Sequence, residues 1–213
     1  MWLMLHVDMI TLQEFIMQEP LPLATLQTAV LEFLRDRDDV AVFGAQAVNA
    51  YVSEPRMTQD IDLLAVRAEE VAYELRDYLS NRFHIAVRVR EVGDGRGYRL
   101  YQVQKGGNRH LVDLRPVANL PAAQRIGEVL VIAPAELVAS KVISYHQRRG
   151  KPKAGTDWRD LALLLLTFPE LKEETGLVSE RLLATGASPA ILQLWREIAA
   201  TEIQQEEDED EFG

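Results

Sequence analysis

Two aspartates, Asp60 and Asp62, stand one residue apart at the head of an apolar run, "QDIDLLAV" (Gln59–Val66). A short apolar run of this kind reads as a buried strand, in which side chains two residues apart share a face. Both carboxylates then point the same way. Carboxylates a few Å apart repel, and each raises the other's pKa unless a cation lies between them. Taking them unpaired out of water costs several kcal/mol. Such a chain has two solutions. Either the pair sits in water at a strand end, partnered by Arg56 or Arg67, or it is kept for a divalent ion. Mg²⁺ typically takes one or two carboxylates plus substrate phosphates.

The surroundings favour the second solution. Upstream, "VAVF" (Val40–Phe43) reads as a buried strand, Gly44 breaks it, and "AQAVNAYV" places Ala47, Val48, Tyr51 and Val52 on one helical face. A glycine there lets the backbone approach a ligand, and the helix start offers free N–H groups suited to phosphate. Downstream, "HLVDLRPV" puts Asp113 in mid-strand, on the face opposite His110, Val112 and Leu114 by simple pleating. If this strand lies beside "IDLLAV", three aspartates converge; otherwise Asp113 pairs with Arg115. In the helix after Pro134, Lys141 falls within the apolar stripe of Leu137, Val138, Val142 and Tyr145. It either snorkels outward or aims an ammonium into a cleft. Arg148, Arg149, Lys151 and Lys153 gather in "QRRGKPKAG", an expected exposed loop. Thr156 reads as the N-cap of "DWRDLALLLL", making Asp157 a first-turn acid, while Asp160 falls on the inner face. His110 and His146 lack ligand spacing to each other and read as structural or surface residues.

Charge is unevenly distributed. The chain carries a net −10, yet Arg82 to Arg159 hold 15 basic against 6 acidic residues. Seven acids lie in "EIQQEEDEDEFG" (Glu202–Gly213), expected to be a solvated, disordered end. Anionic ligands should meet the basic middle. There is no cysteine, hence no disulfide framework and no thiolate chemistry. The start, "MWLMLHVDMI", lacks the basic flank and length of a signal peptide, and no apolar run reaches the ~20 residues of a membrane span. A cytoplasmic protein with no membrane partner is expected.

The element order predicts an α/β (α+β) protein: a mixed β-sheet flanked by helices, with a hairpin at "HIAVRVREV–GDGRG–YRLYQVQ", and a small helical region at the C-terminus. Helices are expected over Pro22–Arg37, Pro134–Arg149, Thr156–Phe168 and Pro189–Ile203. Residues 1–133 would form the catalytic α/β domain, 134–203 a helical domain completing the site, and 204–213 the acidic tail.

"FGAQAVNAYVSEPRMTQDIDLL" resembles the start of the nucleotidyltransferase superfamily with the DNA polymerase β-like catalytic fold. More narrowly, the R-x-T-x-D-I-D run from Arg56 to Asp62 is similar to the AbiEii/AbiGii-type nucleotidyltransferase toxins. The Lys-bearing helix "ELVASKVISYHQRR", the basic loop and the D-x-x-D helix "DWRDLALL" agree with that group. The resemblance spans Val40 to Phe168. It implies that Asp60, Asp62 and Asp113 bind Mg²⁺ (or Mn²⁺) carrying a nucleoside triphosphate, with Asp113 also helping to activate an acceptor hydroxyl. Gly44, Ala45, Arg56, Thr58 and Lys141 would contact the nucleotide, and Asp157 or Asp160 would complete the site. Where the superfamily usually has Gly-Gly or Gly-Ser, this chain has Gly44–Ala45. The implied reaction moves a nucleoside monophosphate onto an RNA, such as the tRNA 3′ end, or onto a protein. The enzyme would be a toxin held by a cognate antitoxin, with Arg148, Arg149, Lys151 and Lys153 contacting RNA. The alternatives are a small-molecule nucleotidyltransferase of the antibiotic-modifying type and an inactive fold serving as a binding module.

Overall fold

A computed structural model of the protein describes residues 21–204. The expectations for the apolar start and for the acidic tail beyond Gln204 fall outside the described residues.

Helix α1 (Leu23–Phe33) leads to strand β1 (Val40–Phe43), the short helix α2 (Gly44–Asn49) and strand β2 (Ile61–Ala65). Helix α3 (Ala68–Phe83) follows, then strands β3 (Val87–Val92), β4 (Gly97–Gln102), β5 (Arg109–Pro116), β6 (Ala123–Ile126) and β7 (Val129–Ile132). Four α-helices complete the described chain, α4 (Pro134–Gln147), α5 (Lys153–Thr167), α6 (Leu177–Ala184) and α7 (Pro189–Ala200), with a short 3-10 helix at Pro169–Leu171 between α5 and α6. The seven strands form one mixed sheet in the order β3-β4-β5-β2-β1-β7-β6. β1 runs antiparallel to β2, while β2–β5 and β1–β7 are parallel.

The mixed α/β architecture expected from the sequence is present, and its local causes are legible. β1 is buried at all four residues, as a strand covered on both faces must be. β2 alternates between buried and half-buried residues, so Ile61, Leu63 and Ala65 enter the core while Asp62 and Leu64 face the other way. In α3, Val71, Ala72, Leu75 and Leu79 are buried. Glu69 and Glu70 in its first turn and Arg82 in its last complement the helix dipole, and His84 ends it with φ 52°. Each buried Leu or Ile stabilises the fold by roughly 1.5–3 kcal/mol. One apolar core runs from the sheet into the C-terminal helices, where Trp195 is fully buried.

Three elements differ from expectation. Helix α5 starts at Lys153, not Thr156, because Pro152 pre-sets the backbone for a first turn and serves as its N-cap residue. Asp157 therefore lies in the second turn. Strand β6 and helix α6 were not anticipated. β6 has the polar sequence Ala-Gln-Arg-Ile and forms by pairing with β7. α6 is only eight residues long, and Val178 and Leu182 anchor it.

Candidate active site

The parallel pairing of β2 with β5 sets Asp62 directly opposite Asp113, with Ile61 opposite Val112. On the other side of β2, Phe43 lies opposite Asp62. The chain turns into α2 at that point, so Gly44 meets the Asp62 side chain. Gly44 has φ +68°, and a Cβ built on it would stand 2.9 Å from the Asp62 Cγ and overlap a carboxylate oxygen. A residue with a side chain would be both strained and in collision. The close approach inferred for Gly44 is thus first of all an approach to Asp62.

Burial chiefly, and then the charge of Asp60, push the Asp62 carboxyl up to about 6; Asp113 adds to this, and Arg115 and Lys141 offset part of it. Neither expected local partner neutralises the pair. Arg56 turns to Asp160, Arg67 pairs with Asp39 and Glu70, and Arg115 lies over the Phe43 ring at 4.9 Å. Asp113 pairs with Arg99 (Nε to Oδ1, 2.7 Å) instead of Arg115.

His110 is the residue that sequence reasoning misplaced. Leu100 pairs with Val112 but Tyr101 pairs with His110, so Leu111 is an extra residue in β5, a bulge. Leu111 and Val112 are both buried, and His110 swings onto the aspartate face. Its Nδ1 lies 3.1 Å from Asp60 Oδ2 and its Nε2 3.4 Å from Asp113 Oδ1. Tyr101 packs against the imidazole with ring centroids 5.0 Å apart. Asp60, His110 and Asp113 place one ligand atom each within 4.8 Å of one another. The trace of the bulge in the sequence was the adjacent apolar pair Leu111–Val112 in an otherwise alternating strand.

The second half of the site comes from the helices. Lys141 does not snorkel: it is 8% exposed, with Nζ 2.6 Å from Asp160 Oδ2 and 3.8 Å from Asp157 Oδ1. Asp160, at 1% exposure, also receives two bonds from Arg56, at 2.8 and 3.0 Å. Burial alone would raise the Asp160 carboxyl, but the bonds from Arg56 and Lys141 outweigh it and hold the group below its usual range. Asp157, at 3% exposure, receives Arg148 Nη1 on both oxygens at 3.0 and 2.9 Å. Both aspartates are thus built into one ionic cluster with three cations. Arg56 is held in place by Asn49, whose side-chain amide bonds both its backbone carbonyl (2.8 Å) and its N–H (3.0 Å). Gln27 Nε2 donates to the Thr58 carbonyl at 3.0 Å. The loop between α2 and β2 is thereby pinned at Arg56 and Thr58. Arg149, Lys151 and Lys153 are exposed, whereas Arg148 is committed to Asp157.

A family model described as "Nucleotidyl transferase AbiEii toxin, Type IV TA system" matches residues 26–212. The chain belongs to the AbiEii nucleotidyl transferase toxin family. As an AbiEii protein it is a nucleotidyl-transferring enzyme. No curated protein sequence matches it. Its fold is similar to that of the Megavirus polyadenylate synthase, with a TM-score of 0.57 and 14% identity over 69% of this chain. The AbiEii chain spans 32% of that longer protein. JHP933 from Helicobacter pylori is similar at TM-score 0.51 and 11% identity, over 83% of this chain and 87% of the other. The antibiotic-resistance factor ANT(2'')-Ia is similar at TM-score 0.50 and 16% identity, over 77% and 90%. At these identities the likeness is one of fold. No helix among the described residues is long and apolar enough to cross a membrane.

Proposed function

We propose that this AbiEii enzyme moves a nucleoside monophosphate from a nucleoside triphosphate to an acceptor hydroxyl of an RNA, such as a tRNA 3′ end, as the toxin of a toxin–antitoxin pair. The observation carrying the RNA assignment is the sheet face that continues outward from Asp113. Cross-strand partners share a face, and the pairings Asp113–Arg99–Arg90 and His110–Tyr101–Arg88 carry that face to the β3 edge. Arg88, Arg90, Arg99 and Arg115 are exposed on it, around the half-buried Tyr101. A shallow cleft lined by Arg96, Arg99, Asp113 and Arg115 opens beside the aspartates. Arginines around an aromatic ring suit a phosphate backbone and stacked bases. They repel a cationic antibiotic.

The donor set fits a divalent ion: carboxylate oxygens gathered on one face, with Asp62 pushed up to about 6 by burial and its neighbours. Asp60, Asp62 and Asp113 would hold Mg²⁺ or Mn²⁺, which when bound would draw charge from the triphosphate and ease departure of pyrophosphate. Gly44 and Ala45 offer backbone N–H groups to the phosphates. Lys141 keeps donors to spare beyond its bond to Asp160 and supplies positive charge from below, with Arg56 and Thr58 held alongside by Asn49 and Gln27. Asp113, which lines the basic cleft, would orient and deprotonate the incoming hydroxyl. That oxygen attacks the α-phosphorus in line and pyrophosphate leaves, so the residues act mainly by positioning and charge. In this reading residues 134–203 supply the lysine and the D-x-x-D half of the site, and Arg149, Lys151 and Lys153 add backbone contacts.

The test incubates the protein with a divalent ion and each α-labelled nucleoside triphosphate, in parallel with total cellular RNA, total cellular protein or an aminoglycoside as acceptor, with Asp62→Ala alongside. Label entering RNA, and lost in the variant, is the expected result and names the base. Label entering only protein or only an aminoglycoside replaces the acceptor; no label and no triphosphate binding overturns the reading.

A further inference from the structure

The proposed metal site contains a group that a magnesium site does not ask for. Mg²⁺ is a hard ion that prefers oxygen ligands and usually keeps several waters, whereas an imidazole nitrogen favours first-row transition ions. His110 lies between the two carboxylates that come nearest to a shared ligand position, Asp60 and Asp113. Its position is built. The Leu111 bulge turns it to this face, and the Tyr101 ring, tilted 30° to the imidazole, backs it. Its Nε2 is buried and makes no hydrogen bond, although a buried ring nitrogen ordinarily has a partner. Asp113 Oδ1, 3.4 Å away, is instead served by Arg99, which is exposed and free to swing out.

We propose that Asp60, His110 and Asp113 form a mixed oxygen–nitrogen metal site, with His110 as a direct ligand, which selects Mn²⁺ or a comparable transition ion over Mg²⁺. This rests on the reading of the aspartates as a metal site and sharpens it: one ring nitrogen joins the carboxylates of Asp60 and Asp113, and Asp62, beside Gly44, keeps the ligand role proposed for it above. The preference is then a property of the protein before any triphosphate arrives. A neutral nitrogen ligand strengthens binding of transition ions and does little for Mg²⁺.

The test uses the full chain and Mn²⁺ alone, read by pulsed electron paramagnetic resonance. Mn²⁺ bound to the wild type should show modulation from a directly coordinated ¹⁴N, and labelling the four histidines with ¹⁵N should change it in the expected isotopic pattern. His110→Gln, which keeps a polar side chain of similar reach, should lose that modulation while still binding Mn²⁺ at least about tenfold more weakly, the cost of losing even an outer partner of a ligand. Its Mg²⁺ affinity, measured by competition, should change far less. Mn²⁺ bound without nitrogen modulation in the wild type, or with modulation that survives in His110→Gln, overturns the assignment of His110 and leaves the aspartate site standing. No Mn²⁺ bound by the wild type, with or without triphosphate, overturns both. The isotope arm needs no substitution, so a variant that fails to fold does not remove the test.

Discussion

Replacing Asp62 by Asn should stabilise the metal-free protein while abolishing nucleotidyl transfer. Asp62 is pushed from the ordinary 3.8 to about 6, so its charged form is disfavoured in the folded chain. Moving a carboxyl that far is worth about 3 kcal/mol once the group is fully ionised. Water reaching the half-buried group trims this to about 1–3 kcal/mol. The direction in pH follows. Because the folded pKa lies above the unfolded one, the cost is absent below about 3.8 and complete above about 6. Asn is close in shape, never charges and does not bear this cost. In EDTA at pH 7.5 the variant should melt about 3–10 °C above the wild type, at ~2–4 °C per kcal/mol for a chain of this size. At pH 5 the gap should shrink by roughly half. Differential scanning calorimetry over pH 5–8 reads both. Adding Mn²⁺ should raise the wild type and move the variant less. An Asp62→Asn protein that is no more stable than the wild type at pH 7.5, or a gap that does not vary with pH, would refute the argument that this carboxylate is kept at a cost to folding.

Gly44→Ala should lower transfer by about 100-fold, since moving a reacting group by an ångström has that effect. It should also cost about 1–2 kcal/mol for an Ala in the left-handed region, read from urea melts. Asp160→Asn leaves Arg56 and Lys141 poorly compensated and should destabilise by about 3–5 kcal/mol at neutral pH. Because the Asp160 carboxyl is held below its usual range, this penalty should persist down to about pH 4 and shrink only below the unfolded value. Arg88→Ala and Arg90→Ala, on the outermost strand two strands away from β5, should leave folding unchanged and each reduce the salt slope of RNA binding by about one, measured by filter binding.

The strands and most helices were readable because their burial is periodic, and the strand–glycine–helix entry needed only one unusual residue to reveal it. The convergence of Asp62 with Asp113 was readable only conditionally: each strand was visible, but their adjacency is set by a crossover that no local pattern encodes. Lys141 stood out as a charge in an apolar stripe. What it faces, Asp160 and Asp157 on the next helix, depends on how α4 meets α5, and the shifted start of α5 hid Asp157 as a first-turn acid. Arg56 was, with Arg67, one of two partners open to Asp60 and Asp62 if the pair sat in water. It reaches instead to Asp160, 104 residues away, because Asn49 fixes the direction of its backbone. His110 was placed on the wrong face because one inserted residue reverses alternation, and alternation was the only rule in use.

The bulge at Leu111 has a consequence for how such proteins are recognised by pattern. With the extra residue, His110 and Asp113 share a face at a spacing of three; without it, a spacing of two would achieve the same. H-x-x-D on a bulged strand and H-x-D on a regular one describe the same surface, separated by a single codon. Descendants could pass between them by one deletion and keep every ligand in place. A motif written with a fixed interval would count them as unrelated.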